Sequence, residues 1–230
     1  MIYVFNGPPG TGKDDACKWL LESGHFEHLS FKSQLIKETL KFFDVSEEWF
    51  FSGYNRAQKE LPEAKLLLEG KKLSRRQALI YVSEDYIKPK YGKQFFGECI
   101  ANEIQDGVDY CVSDGGFIEE IQPVINKIGT DQFVLVQLYR DGFDFSSDSR
   151  RYINTSTLLD EIVLGKKSSL LAEQTIVTDL DIDMVRIHNN GSLEEFKTAI
   201  QNLHEKVSNV REKNKRTQGQ EKAITAGKSV

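Results

Sequence analysis

The sequence predicts an α/β protein in which a parallel sheet carries helices on both faces, a three-layer arrangement. Three observations predict it. The apolar run Ile2-Tyr3-Val4-Phe5 leads into Gly7-Pro8-Pro9-Gly10-Thr11-Gly12-Lys13, after which Ala16, Cys17, Leu20 and Leu21 recur at helical spacing. Three later apolar runs each end in a polar or charged residue: Asp109 to Ser113 before Asp114, Gln132 to Tyr139 before Arg140, and Asp183 to His188 before Asn189-Asn190-Gly191. Near-continuous apolar runs of that length suit strands buried on both faces. Finally, the stretch between the first two strands, about 24–108, reads as mostly helical, with Phe31, Leu35, Ile36 and Leu40 on one face of a segment spanning 31–43.

The first loop fits G-x-x-x-x-G-K, the P-loop pattern that binds nucleotide phosphates, and the flanking strand and helix are the context it requires. Glycines allow positive φ and close backbone approach. Successive N–H groups form an anion-binding nest, and a helix beginning near Lys13 turns its positive dipole end to the same place. Gly7, Gly10, Thr11, Gly12, Lys13, Asp14 and Asp15 are therefore the expected ATP-binding residues, in a P-loop NTPase fold. Lys13 is placed to reach the β- and γ-phosphates. The position after the lysine commonly carries Ser or Thr for Mg²⁺; here it is Asp14. A carboxylate is also a hard oxygen ligand. Asp14 either serves the metal, directly or through water, or with Asp15 merely complements the helix dipole.

Further along, segments 75–86 and 94–104 repeat the helical pattern, and the whole of 24–108 is expected to form an acceptor-binding insertion. Arg140, Arg150 and Arg151 flank the Gly/Ser/Asp stretch 141–149. A mobile lid over 140–155 that brings guanidinium groups onto phosphates and expels water has this composition. Arg75 and Arg76 open a helix and present forks suited to an acceptor phosphate. Asp114, at a strand's carboxyl end, is expected to hold Mg²⁺ through water or to orient the acceptor. Ser192-Leu193-Glu194-Glu195 is a capping box that starts a last helix of about 192–207. The polar, lysine- and arginine-rich 209–230 reads as a frayed tail outside a domain of 1–208.

Composition sets outer bounds. The chain has 230 residues, 39% hydrophobic and 28% charged, with a net charge of −5, so it lacks the basic excess of a nucleic-acid-binding protein. There is no apolar run of the ~18 residues that a membrane span needs. The strand at the amino terminus leaves no room for a signal peptide, and the three widely spaced cysteines read as reduced thiols; both fit the cytoplasm. No C-x-x-C pair exists, and His25 and His28 lack a third ligand, so neither group reads as a metal site.

Taken in order, several segments resemble the deoxynucleoside monophosphate kinases of bacteriophages, within the adenylate-kinase-like branch of P-loop kinases. They are Gly10-Thr11-Gly12-Lys13-Asp14, Leu29 to Lys37, Tyr54-Asn55-Arg56-Ala57-Gln58-Lys59, Ser74 to Leu79 with Phe96-Gly97, Val112 to Phe117, and Ile187 to Ser192. The resemblance covers about 1–205. It implies ATP as donor, Mg²⁺, and a (deoxy)nucleoside monophosphate acceptor, met in the host cytoplasm if the chain is viral. Joined to the residue readings above, it leads to catalytic roles for Lys13, Arg140 and Arg150, acceptor binding by Lys32, Lys37, Arg75, Arg76 and Asp114, and metal binding by Asp14 and Asp114. One departure stands out: relatives tend to have an arginine shortly after the strand-end aspartate, where this chain has Gly116. That shifts the acceptor phosphate towards Arg76, Lys32 and Lys37. The alternatives are a kinase for another small phosphate acceptor such as dephospho-coenzyme A, a nucleotide-binding regulator without turnover, and a nucleic-acid-binding module built on the basic tail. Homodimerisation is left open.

Overall fold

The computed structural model describes residues 1–52, 58–146, 148–169 and 174–226. Tyr54, Asn55, Arg56 and Ala57 of the expected acceptor segment, Ser147 of the expected lid and the chain from 227 onward lie outside the described residues. In chain order the elements are β1 (Ile2–Asn6), α1 (Lys13–Glu22), β2 (Phe26–Leu29), α2 (Phe31–Phe43), α3 (Glu47–Ser52), β3 (Pro62–Leu68), β4 (Lys71–Ser74), α4 (Arg75–Tyr81), a π-helical turn (Val82–Ile87), α5 (Lys88–Tyr91), α6 (Phe95–Glu103), β5 (Asp109–Gly115), α7 (Ile118–Ile128), β6 (Phe133–Tyr139), β7 (Tyr152–Asn154), β8 (Thr157–Leu164), β9 (Thr175–Val177), β10 (Asp183–Asn189), α8 (Leu193–Gln201) and α9 (Leu203–Ala226).

Six strands form one parallel sheet in the order β2-β5-β1-β6-β10-β8. Alternation along the strands explains the layers. Tyr3, Phe5, Val134, Val136, Val185 and Ile187 point to one face, where Cys17 and Leu20 of α1, Phe196 and Ile200 of α8, and Leu203 and Val207 of α9 cover them. Ile2, Val4, Val112, Leu135 and Met184 point to the other, against Phe31 of α2, Ile100 of α6 and Ile121, Val124 and Ile125 of α7. A fully buried side chain of this size contributes about 1.5–3 kcal/mol. Two-faced burial is why β1 and β6 carry no polar alternation. Between Val4 and Asn6 the pairing with β5 slips by one residue, from Val112 to Gly115. Such a bulge re-aims the side chains beside it, here those of Ser113 and Asp114.

Several expectations need correction. The 24–108 stretch is not simply a helical insertion. Its β2 is an edge strand of the main sheet, and β3 and β4 make an antiparallel hairpin turned at Glu69 and Gly70, both with positive φ. The helix expected over 75–86 gives way after Tyr81 to the π-helical turn. Residues 152–154, assigned to the lid, form β7. The Tyr152 hydroxyl donates to the Leu138 carbonyl at 3.1 Å, and Ile153 pairs with Asn6 through its N–H (3.0 Å), so this part is fixed to the sheet. The tail is also different. A helix break at Asn202 separates α8 from α9, and α9 runs on to Ala226. Arg211 anchors it, bonding Asp183 through Nε at 2.5 Å and the Phe133 carbonyl through Nη2 at 3.1 Å. Those partners lie at the amino ends of β10 and β6, which a composition reading of 209–230 does not see.

Candidate functional site

β1 sits at the centre of the sheet, with β5 on one side and β6 on the other. The chain leaves β1 towards β5 and β2 and returns later to β6, and a crevice at such a switch point opens beyond the carboxyl ends of the strands. A cleft of about 700 Å³ lies there. The glycine-rich loop, α1 and Arg140 line one end; Phe31, Leu79, Phe96, Phe117 and Glu120 line the other.

The loop is held by its own contacts. Thr11 Oγ1 donates to the Pro8 carbonyl at 2.9 Å, and Lys13 Nζ donates to the same oxygen at 2.8 Å. Gly12 is the N-cap of α1 with φ 101°, and Gly10 has φ 91°, conformations that disfavour any residue with a Cβ. A Cβ at Gly12 would also lie 2.6 Å from the Phe196 ring, and one at Gly10 would overlap Phe143. Asn189, at the end of β10, donates from Nδ2 to the Thr11 carbonyl at 3.0 Å and ties the loop to the sheet. Lys13 is only 8% exposed. Burial, and next the Arg150 charge, lower its pKa to about 8, against the opposing pull of Asp14. Asp14 and Asp15, in the first turn of α1, are exposed and line the cleft.

The two expected lid arginines occupy different environments. Arg140 is exposed, stacks on Phe143 with its guanidinium 5.3 Å from the ring centroid, and reaches the Gly10 carbonyl at 3.4 Å. Arg150 is half-buried and bonds Asp148 through two nitrogens, at 3.0 and 2.6 Å. Burial opposes its charge, but Asp148 outweighs it and raises its pKa. Arg151 does not line the cleft: its guanidinium donates to the Arg150 carbonyl at 3.4 Å, and its own carbonyl accepts from Asn6 at 2.9 Å. The stem of Arg150 lies against Gly116, where a Cβ would be 2.5 Å from Cδ and 2.8 Å from Cγ. The glycine that looked like a loss therefore makes room for an arginine delivered from another loop.

Asp114 lines the cleft and holds the start of α2. One carboxylate oxygen accepts from Ser30 Oγ at 2.7 Å and the Lys32 N–H at 2.8 Å; the other accepts from the Phe31 N–H at 3.1 Å. It caps α2 from β5, the strand paired with β2, in place of a side-chain cap by Ser30 itself. With three donors satisfied, its oxygens fit a metal poorly. It is a positioning residue that sets α2 and Lys32 against the cleft.

Of the other expected acceptor residues, Lys32 and Arg76 line the cleft and Lys37 and Arg75 do not. Lys37 is an exposed residue of α2 whose charge acts on Cys99 of α6. Arg75 is 3% exposed, bonds Glu63 and stacks on Trp49 at 4.8 Å. Ser74 caps α4, with Gln77 completing the capping box, and adjacent residues on a helix point about 100° apart. Arg75 therefore turns inward and Arg76 outward. Neighbouring arginines look alike in sequence, and nothing there separates them.

Asn189 ends one of the strands that the sequence predicts, and Phe143 and Asp148 lie within the expected lid; Glu120 is the residue at this cleft that the sequence reading passed over. Glu120 carried no signal, since an acid in a helix's first turn normally complements the dipole in solvent. Among the described residues no cluster of His, Cys, Asp and Glu could hold a metal by itself, and no helix is long and apolar enough to cross a membrane. In comparison with known proteins, no family model matches this chain and no curated protein matches its sequence.

Proposed function

We propose that this protein transfers the γ-phosphoryl group of ATP to a nucleoside monophosphate, in a P-loop NTPase fold with a helical acceptor-binding part and a short arginine-bearing lid. One observation carries the reading. A single cleft joins a glycine-rich loop and helix N-terminus, with the buried Lys13, to an apolar end walled by α2, α4, α6 and α7, with Arg76, Arg140 and Arg150 along it. Phosphoryl transfer needs positioning and positive charge around the moving group more than proton chemistry. An acceptor phosphate oxygen bonds the γ-phosphorus as the bond to the β–γ bridging oxygen breaks, and ADP leaves. Lys13 and the loop N–H groups bind the donor phosphates. Arg150, between Lys13 and the far end, stabilises developing charge on the γ-phosphoryl, and Arg140 closes from the exposed side. Arg76 and Lys32 take the acceptor phosphate.

Mg²⁺ would be held by Asp14 and the phosphates themselves, and when bound it neutralises charge on the donor. Asp14 fits because its carboxylate lines the cleft with no hydrogen-bond partner among the described residues. The preference for deoxynucleotides rests on the resemblance to phage kinases.

The test is steady ADP production from ATP and Mg²⁺ across the common deoxy- and ribonucleoside monophosphates and dephospho-coenzyme A. ADP release that depends on a nucleoside monophosphate is expected. Release only with the coenzyme precursor, or none at all, contradicts the reading. Lys13 supplies a second prediction. Its free amine titrates near pH 8, and a bound polyphosphate favours the ammonium form, so ATP binding takes up a proton between about pH 8 and 9.5. Calorimetric titration in buffers of differing ionisation enthalpy measures this. Uptake that stays at zero throughout that range would place Lys13 away from the phosphates.

A further inference from the structure

Glu120 stands out at the apolar end of the cleft. It is 7% exposed, lines the cleft, and its carboxyl has no hydrogen-bond partner among the described residues. Buried polar groups ordinarily have partners, and the Glu120 carboxyl, reached from the cleft and not sealed from it, can take one from a ligand. Its position is enforced. Gly97 of α6 packs against its backbone so closely that a Cβ there would overlap the Glu120 carbonyl. Phe96 and Phe117 line the same cleft, and the π-helical turn contributes Ser83 and Glu84 to it.

Resting on the kinase reading, we propose that Glu120 reads the base of the acceptor nucleotide, its carboxyl hydrogen-bonding the edge of the base that enters this cleft. The chemical form of that carboxyl then sets which bases are accepted. A neutral carboxylic acid offers one donor beside one acceptor. Every common base has an edge that matches: an amino N–H beside a ring nitrogen in adenine and cytosine, a ring N–H beside a carbonyl in thymine, uracil and guanine. An ionised carboxylate offers acceptors only, and guanine alone matches it with two adjacent N–H donors.

The surroundings favour the neutral form. Burial raises the Glu120 pKa to about 8, with the Asp114 charge from β5 adding to it. Lys88 of α5 and Arg150 of the lid loop act in the opposite direction, and Glu84 of the π-helical turn reinforces the rise. Lys88 is itself bonded to Glu84 at 2.5 Å, which blunts its pull. The enzyme is thus expected to be broad in base preference at neutral pH and to become guanine-selective as pH rises.

The test is kcat/KM for dGMP and dCMP between about pH 6.5 and 9.5, for the wild type, Glu120→Leu and Glu120→Gln. Expressing the result as the dGMP to dCMP ratio cancels the titration of Lys13, which affects both acceptors equally. At about pH 9 a group titrating near 8 is about nine-tenths ionised, so the wild-type ratio rises about tenfold over its neutral-pH value. Glu120→Leu loses roughly tenfold or more in kcat/KM for both acceptors, with the KM for ATP changed little. Glu120→Gln, whose amide has a permanent donor and acceptor, recovers most of that loss, and its ratio stays flat with pH. A flat wild-type ratio overturns the proposal, as does Gln behaving like Leu. If Leu fails to fold, the comparison of wild type with Gln still decides. If wild-type protein binds ATP but phosphorylates no nucleoside monophosphate, the kinase reading itself fails and takes this proposal with it.

Discussion

Lys13→Ala lowers acceptor-dependent phosphoryl transfer by roughly a thousandfold while the protein stays folded. The size follows from where the charge sits. A positive group aimed at developing negative charge in a water-poor site is worth about a hundred- to a thousandfold in rate, and Lys13 is among the most buried charged groups in this protein. The lowered pKa shows that the fold spends stability to hold an ammonium there, since burial is its largest cause. Truncation removes that penalty together with one hydrogen bond to the Pro8 carbonyl. The two roughly offset, and the melting temperature should move by only a few degrees. Turnover measured beside thermal melts checks both halves. Near-normal turnover in a folded variant would remove the loop from the chemistry.

Gly97→Ala destabilises the protein strongly for the addition of one methyl group. α6 and α7 meet at this residue, and the new Cβ would overlap the Glu120 carbonyl and lie 2.9 and 3.0 Å from its carbonyl carbon and Cα. At Gly116 the obstacle is a flexible arginine stem; at Gly97 it is helix backbone, which cannot swing aside. The helices must separate, at a cost of about 2–3 kcal/mol. For a protein of this size that lowers the melting temperature by about 5–10 °C. Because α7 carries Glu120, the same variant should raise the KM for the acceptor more than that for ATP. An unchanged melting temperature and unchanged acceptor KM would show that the α6–α7 packing is looser than described.

Both predictions show which parts of the molecule the sequence exposes. The glycine-rich loop, α1, α2, β5, β6, β10 and the Ser192–Glu195 capping box were legible because each is written locally, as an apolar period, a cap or a run. The edge strands were not. β8 has the sequence Thr157-Leu158-Leu159-Asp160-Glu161-Ile162-Val163-Leu164, and its acidic pair and half-exposed pattern hide a strand that only β10 completes. At the site, the residues that could be read were those supplying charge to a loop or strand end. Asp114 was located at the cleft, but its bonds to Ser30, Phe31 and Lys32 could not be read, because those partners lie some eighty residues earlier. Arg75 and Lys37 failed for a similar reason: a helix start does not say which side chain turns inward. Gly116 and Arg150 are informative only as a pair, since the space left by one is filled by the other.

The most direct measurement is the fate of the γ-phosphate. ATP labelled at that phosphate is incubated with Mg²⁺, the protein and each deoxynucleoside monophosphate in turn, and the labelled products are separated. Label appearing in a deoxynucleoside diphosphate, and lost in Lys13→Ala, is the predicted result. Label that stays in ATP or passes only to inorganic phosphate with every acceptor would contradict the assignment of this cleft to nucleotide phosphorylation.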